Sequence, residues 1–252
     1  MAWALDLDGV VWLAETEIPG ASDAVEQLRR AGEQVVFVTN NSSVHRDDAV
    51  SALARLGIEA RGDVVTSAMA AARLLPVGST ALLCAGPGVE RELVDRGVQV
   101  VHEGDADAVI VGFHRDFDFE RMAIAARAVH RGARLVATND DATYPTPEGL
   151  LPGGGAILAS IERATGTAAV VAGKPNAPMA EVVTAMVGPT GVMVGDRPDT
   201  DGCFARVLGY QFALVLSGVT TTDDLPVEPH PDHVASDLAQ LVERHVRAQV
   251  VE

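Results

Sequence analysis

The sequence predicts an α/β protein built on a parallel sheet, and three observations carry that expectation. Short runs rich in Val, Ile and Leu recur along the 252 residues, which is how strands buried on both faces read. Helix-like stretches closed by glycine lie between them. Strand and helix alternate throughout, the pattern of right-handed crossovers whose ligands gather at the carboxyl ends of the strands.

Taken in order, the first strand is expected at residues 3–5, followed by a helix over 22–31 that Gly32 stops. A second strand at 35–38 leads to a helix over 47–56 closed by Gly57, and a third at 81–84 to a helix over 89–96 closed by Gly97. Apolar runs at 108–111, 135–137, 169–172, 192–194 and 212–216 complete the expected strands.

Composition narrows the functional classes. Hydrophobic residues make up 48% of the chain and charged residues 21%, which is globular usage rather than that of a disordered chain. A net charge of −16 repels phosphate backbones and anionic lipid, so neither nucleic acid nor a membrane surface is expected as a partner. No apolar window reaches membrane-spanning length, and Met1–Asp6 lacks the basic-then-apolar pattern of a secretion signal. Cys84 and Cys203 lie among apolar neighbours and read as buried thiols, so a cytoplasmic location is expected. The 19 basic residues are 18 arginines and one lysine, Lys174.

Four segments carry chemistry. Asp6-Leu7-Asp8-Gly9 follows the first apolar run, and carboxylates two residues apart at a strand end call for a raised pKa, a bound hard cation or full solvation. Thr39-Asn40-Asn41-Ser42-Ser43 ends the second strand with the small polar groups and free amides a phosphate oxygen requires, although helix capping also accounts for part of the run. Gly173-Lys174-Pro175-Asn176 places the lone lysine after a buried strand, where it can serve as a point charge for phosphate or carboxylate. Gly195-Asp196-Arg197-Pro198-Asp199-Thr200-Asp201 follows another strand, so Asp6 and Asp196 could reach one cation from neighbouring strands, with Asp201 holding Lys174 or a metal-bound water. Gly86-Pro87-Gly88 lacks the third glycine of a dinucleotide fingerprint. His230-Pro231-Asp232-His233 reads as a solvated loop. His45 and Arg46 read as surface residues at a helix start.

Together, and in this order, these segments resemble the four signatures of the haloacid-dehalogenase-like (HAD) hydrolase superfamily, in its NagD-like or class IIA branch of small-molecule phosphatases. Thr66-Ser67-Ala68, Ala137-Thr138-Asn139-Asp140-Asp141, Leu151-Pro152-Gly153-Gly154-Gly155 and Gly218-Val219-Thr220-Thr221 extend the likeness. The resemblance implies a Rossmann-like parallel-sheet core over 1–77 and 172–252, with an α/β cap domain of the C2 type inserted over 78–171. It implies a Mg²⁺-dependent phosphatase acting on a small phosphorylated metabolite. Asp6 is then the nucleophile that forms an aspartyl phosphate, and Asp8 the acid and base. Asp6, the Asp8 carbonyl and Asp196 would hold the metal. Thr39, the amides around Asn40 and Asn41, and Lys174 would hold phosphate, and Asp201 would act from behind. Tyr144 and Glu148, in the loop 139–148, are candidates for substrate contact. Members of the family often dimerise through the cap, which makes a homodimer the assembly to look for. Two alternatives keep the same fold: a phosphotransferase using the same aspartyl phosphate, and a non-catalytic phosphoester-binding protein. Pro198 and the bulky Trp12 depart from the common pattern, and Trp12 is expected to narrow the entrance.

Overall fold

The computed structural model describes residues 1–14, 16–146 and 149–251, which form two compact units. The first comprises residues 1–39, 47–65 and 174–252, the second residues 40–46 and 66–173. The stretch 66–77, assigned to the core on sequence grounds, falls in the second unit because the helix Ser67–Arg73 packs on the helix Pro87–Asp95. Among the described residues no helix is long and apolar enough to cross a membrane.

The first unit holds a six-stranded sheet in the order His233–Ala235, Gln211–Val215, Gly191–Gly195, Ala2–Leu5, Gln34–Thr39, Val64–Thr66. Ala2–Leu5 is central and pairs in parallel with Gly191–Gly195 on one side and Gln34–Thr39 on the other. It is buried on both faces, hence its unbroken apolar run. On one face Trp3, Leu5, Val35, Phe37, Val192 and Val194 pack with Val25 and Leu28 of helix Ala21–Arg30 and with Leu238 and Val242 of helix Leu238–Val251. Helices Ala177–Val187 and Cys203–Leu208 contact the sheet as well as each other. Leu5 registers with Val194 and with Phe37, so Asp6, Asp196 and the strand end at Thr39 emerge at the same carboxyl edge.

The second unit has a five-stranded parallel sheet in the order Val170–Val171, Arg134–Ala137, Ala108–Val111, Thr80–Cys84, Gln99–Val101. Helices Phe119–His130 and Gly154–Thr165 pack on it through Ala125, Ala128, Val129, Ile157, Leu158 and Ile161. An antiparallel pair, Thr143–Thr146 with Gly149–Pro152, stands apart from that sheet. Cys84 is buried as expected, whereas Cys203, in the first turn of its helix, is half-buried.

Candidate active site

The carboxyl edge of the first sheet concentrates buried charge. Asp6, Asp196 and Asp201 each offer a carboxylate oxygen, and the three oxygens lie within 4.8 Å of one another. Lys174, 1% exposed, lies between two of them: its Nζ is 2.9 Å from Asp6 Oδ1 and donates to Asp201 Oδ1 at 2.7 Å. Asp6 Oδ1 also accepts from the amide of Leu7 at 2.8 Å. Asp201 is fully buried, and its Oδ2 accepts from the Arg197 amide at 3.1 Å, so both of its oxygens are engaged by protein donors.

Asp196 is held differently. Its Oδ2 accepts from the amide of Val219 at 2.6 Å, while its Oδ1 is buried with no hydrogen-bond partner. The backbone crowds it from two sides. Gly9 has φ of +82°, and a Cβ built on Gly9 or on Gly218 would overlap the Asp196 carboxylate. Only glycine lets the turn after Asp8 and the loop after strand Gln211–Val215 approach so closely.

The electrostatics follow from this packing. Burial pushes the Asp6 carboxyl well above the usual carboxylate range, Lys174 opposes that rise, and Asp201 and Asp196 add to it. Burial, with the Asp201 charge, lifts Asp196 to about 6 against the Val219 N–H. For Lys174 burial works toward neutrality, but Asp201 and Asp6 overcome it and hold the ammonium charged. Three carboxylates facing one ammonium leave an excess of negative charge, and a buried carboxylate oxygen without a donor is costly. A hard divalent cation with oxygen ligands answers both, and Asp6 and Asp196 are the donors suited to it.

Asp8 is exposed, and its Oδ1 accepts from Trp12 Nε1 at 3.1 Å. Trp12, expected at an entrance, is 6% exposed and tucked behind Asp8. Thr39 ends its strand in the first unit and is buried. Asn40 and Asn41 belong to the second unit. There Asn40 Nδ2 donates to Asp141 Oδ2 at 3.1 Å, and the Asn40 carbonyl accepts from Ser67 Oγ at 2.7 Å and Asn139 Nδ2 at 2.8 Å. Asn41 Oδ1 accepts from the amide and hydroxyl of Ser43 at 3.0 and 2.6 Å. Both side chains thus brace the loop, which leaves main-chain amides as the phosphate-binding groups to consider. Tyr144 stacks on Phe113 with ring centres 4.8 Å apart, and Glu148 lies outside the described residues.

His45 corrects the surface reading. It is 3% exposed, with Nε2 3.3 Å from Glu92 Oε1 and 3.2 Å from Asp95 Oδ2, and Arg46 Nη1 reaches Glu92 Oε2 at 3.1 Å. Burial raises Glu92 while Arg46 and His45 pull it down. The acidic partners sit one helical turn apart on helix Pro87–Asp95, more than forty residues away, which local patterning does not reveal. The Gly218-Val219 clamp on Asp196 lies outside the four chemistry-bearing segments, although a Gly-Val-Thr-Thr segment following a strand is its signal.

Comparison with known proteins places the chain in a family. Residues 3–99 match the haloacid dehalogenase-like hydrolase family, and residues 171–241 match a HAD-hydrolase-like family. A D-glycerol 3-phosphate phosphatase of Mycobacterium tuberculosis is 38% identical over 94% of this chain and 69% of its own length. The solved p-nitrophenyl phosphatase of Archaeoglobus fulgidus superposes with a TM-score of 0.89 at 31% identity, covering 96% of this chain and 98% of that one. A glycerol phosphate phosphatase of M. tuberculosis crystallised with magnesium gives a TM-score of 0.87 at 35% identity, covering 95% of this chain and 75% of that one. With the carboxylate cluster, its lysine and these relatives in agreement, the chain belongs to the haloacid dehalogenase-like hydrolases, as a small-molecule phosphatase of their NagD-like branch.

Proposed function

We propose that this chain hydrolyses a small phosphomonoester through an aspartyl phosphate on Asp6, with Mg²⁺ held by Asp6, Asp196 and the main-chain carbonyl of Asp8. The observation that carries the reading is the Lys174 ammonium shared between Asp6 and Asp201, beside the donor-less Oδ1 of Asp196. When bound, Mg²⁺ offsets the clustered carboxylates and draws the phosphoryl oxygens toward them.

An Asp6 oxygen attacks phosphorus, a new P–O bond forms, and the ester P–O bond breaks. Asp8, exposed beside Asp6 in the sequence, gives its proton to the departing alkoxide. Water then attacks the aspartyl phosphate, Asp8 recovers a proton from it, and inorganic phosphate leaves with the Asp6 carboxylate restored. Lys174, kept charged by Asp201, lowers the repulsion between Asp6 and an anionic substrate. Thr39 and the amides of residues 40 and 41 are assigned to the remaining phosphoryl oxygens. Leaving-group specificity is assigned to the second unit as the cap, with Tyr144 as its contact residue. The names of the relatives make glycerol 3-phosphate and sugar phosphates the first substrates to try.

Release of phosphate from p-nitrophenyl phosphate tests the metal requirement: it should need Mg²⁺ and stop with EDTA, and turnover that survives metal removal overturns the site. Acid quenching during turnover, followed by peptide mass spectrometry, should find a phosphoryl group on Asp6. Asp6→Asn should abolish turnover, and an active variant refutes the nucleophile.

A further inference from the structure

We propose that Trp12 is a positioning residue for the proton-transferring carboxyl of Asp8, which it holds through its indole N–H. The inference rests on reading Asp8 as the acid and base of the aspartyl-phosphate mechanism. Asp8 is exposed, and a short exposed carboxylate left to itself samples several rotamers. Trp12 is 6% exposed, so its large ring is fixed by packing, and its Nε1 donates to Asp8 Oδ1 at 3.1 Å.

The backbone between the two residues is equally constrained. The Leu7 carbonyl accepts from the amides of Val10, Val11 and Trp12 at 3.3, 2.9 and 3.1 Å, and the Gly9 amide donates to the Trp12 carbonyl at 2.8 Å. Ser217 Oγ donates to the Gly9 carbonyl at 2.7 Å. Trp12 also pairs with Glu17 across a short antiparallel ladder. The indole donor is therefore stationary with respect to the strand that ends at Asp6. A stationary donor at Oδ1 fixes the rotamer of the carboxyl from which the proton is transferred. The other tryptophan is a built-in contrast: Trp3 Nε1 is buried with no hydrogen-bond partner.

Trp12→Phe removes the N–H and keeps most of the ring. The informative readout is kcat/KM across ring-substituted phenyl phosphates, since an acidic phenol departs without help whereas a weakly acidic one needs its proton. For Trp12→Phe, kcat/KM should fall about tenfold or more on phenyl phosphate and less than about threefold on p-nitrophenyl phosphate, which steepens the dependence on leaving-group acidity. An equal loss across the series reduces Trp12 to packing and overturns the proposal, as does an unchanged series. Asp8→Asn is the reference. If it leaves phenyl phosphate hydrolysis intact, the reading of Asp8 fails and the proposal with it. If it removes that hydrolysis while Trp12→Phe is silent, only the role of Trp12 fails. Should the Phe variant not fold, replacing both tryptophans with the benzothiophene analogue substitutes sulfur for the N–H at nearly constant volume. Trp3 has no bond to lose in that exchange.

Discussion

Lys174 shows how much a single residue carries. Every other basic residue in the chain is an arginine, and the pocket explains why this one is not. The ammonium is a compact point charge on a thin stem, and it fits between Asp6 and Asp201 at 2.9 and 2.7 Å while 1% exposed. A planar guanidinium needs more room and brings five donors to a place with acceptors for fewer. Lys174→Met should therefore do two separable things. It should cost about 3 to 5 kcal/mol in metal-free protein, because breaking a buried pair strands the remaining charge. It should also lower kcat by on the order of 100-fold or more, as loss of a preorganised charge does. Urea unfolding in EDTA and turnover in Mg²⁺ measure the two effects. Adding Asp201→Asn should recover much of the stability and none of the activity. A double variant that regains turnover would mean that Lys174 serves the fold alone.

At the scale of elements, the ends of the strands matter more than the strands. Three adjacent parallel strands deliver Asp6, Thr39 and Asp196 to one edge, and two glycine turns then press the backbone against Asp196. Gly218→Ala tests that clamp, since its Cβ would occupy the space of the carboxylate. The Mg²⁺ concentration giving half-maximal activity should rise about tenfold or more with an unchanged far-UV spectrum. An unaltered Mg²⁺ dependence would show that the loop does not set the metal site. Most of the eight apolar runs were legible in the sequence because strands covered on both faces, such as Ala2–Leu5 and Ala108–Val111, have no polar alternation to confuse them. Val64–Thr66, Gln99–Val101 and His233–Ala235 were not, being three-residue edge strands with only two apolar residues each. The site divides in the same way. Asp6 and Asp196 stand out because each follows a strand directly, and Lys174 because it is the one lysine, three residues beyond the strand end at Val171. The Val219 amide and the burial of His45 depend on chain segments meeting across the fold, and the Trp12 indole, four residues from Asp8, depends on the tight turn between them.

The whole molecule carries a net charge of −16, part of it in a buried carboxylate cluster, so metal, protons and stability are linked. A carboxyl whose folded pKa lies above its unfolded value gains protons on folding. Burial places Asp196 at about 6 against an ordinary 3.8, and Asp6 is displaced in the same direction. Metal-free protein should therefore lose stability as pH rises from about 4 through about 6 and regain it as pH falls back through that window. The Phe212 amide holds Asp232 below the usual carboxylate range, so its opposite contribution is lost only at pH values beneath that window. Mg²⁺ must displace the protons it competes with, so its stabilisation should have the reverse pH dependence. In thermal unfolding at about pH 7.5, Mg²⁺ at a hundredfold excess over its Kd should raise Tm by on the order of 5 °C or more. At about pH 5 the same concentration should raise it far less, because Asp196, with its carboxyl at about 6, is then largely protonated. In EDTA the order should invert, with the higher Tm at about pH 5. Equal Mg²⁺ shifts at the two pH values would mean that the cation binds elsewhere on the acidic surface, and the cluster at the sheet edge would then have to be stabilised by Lys174 and protons alone.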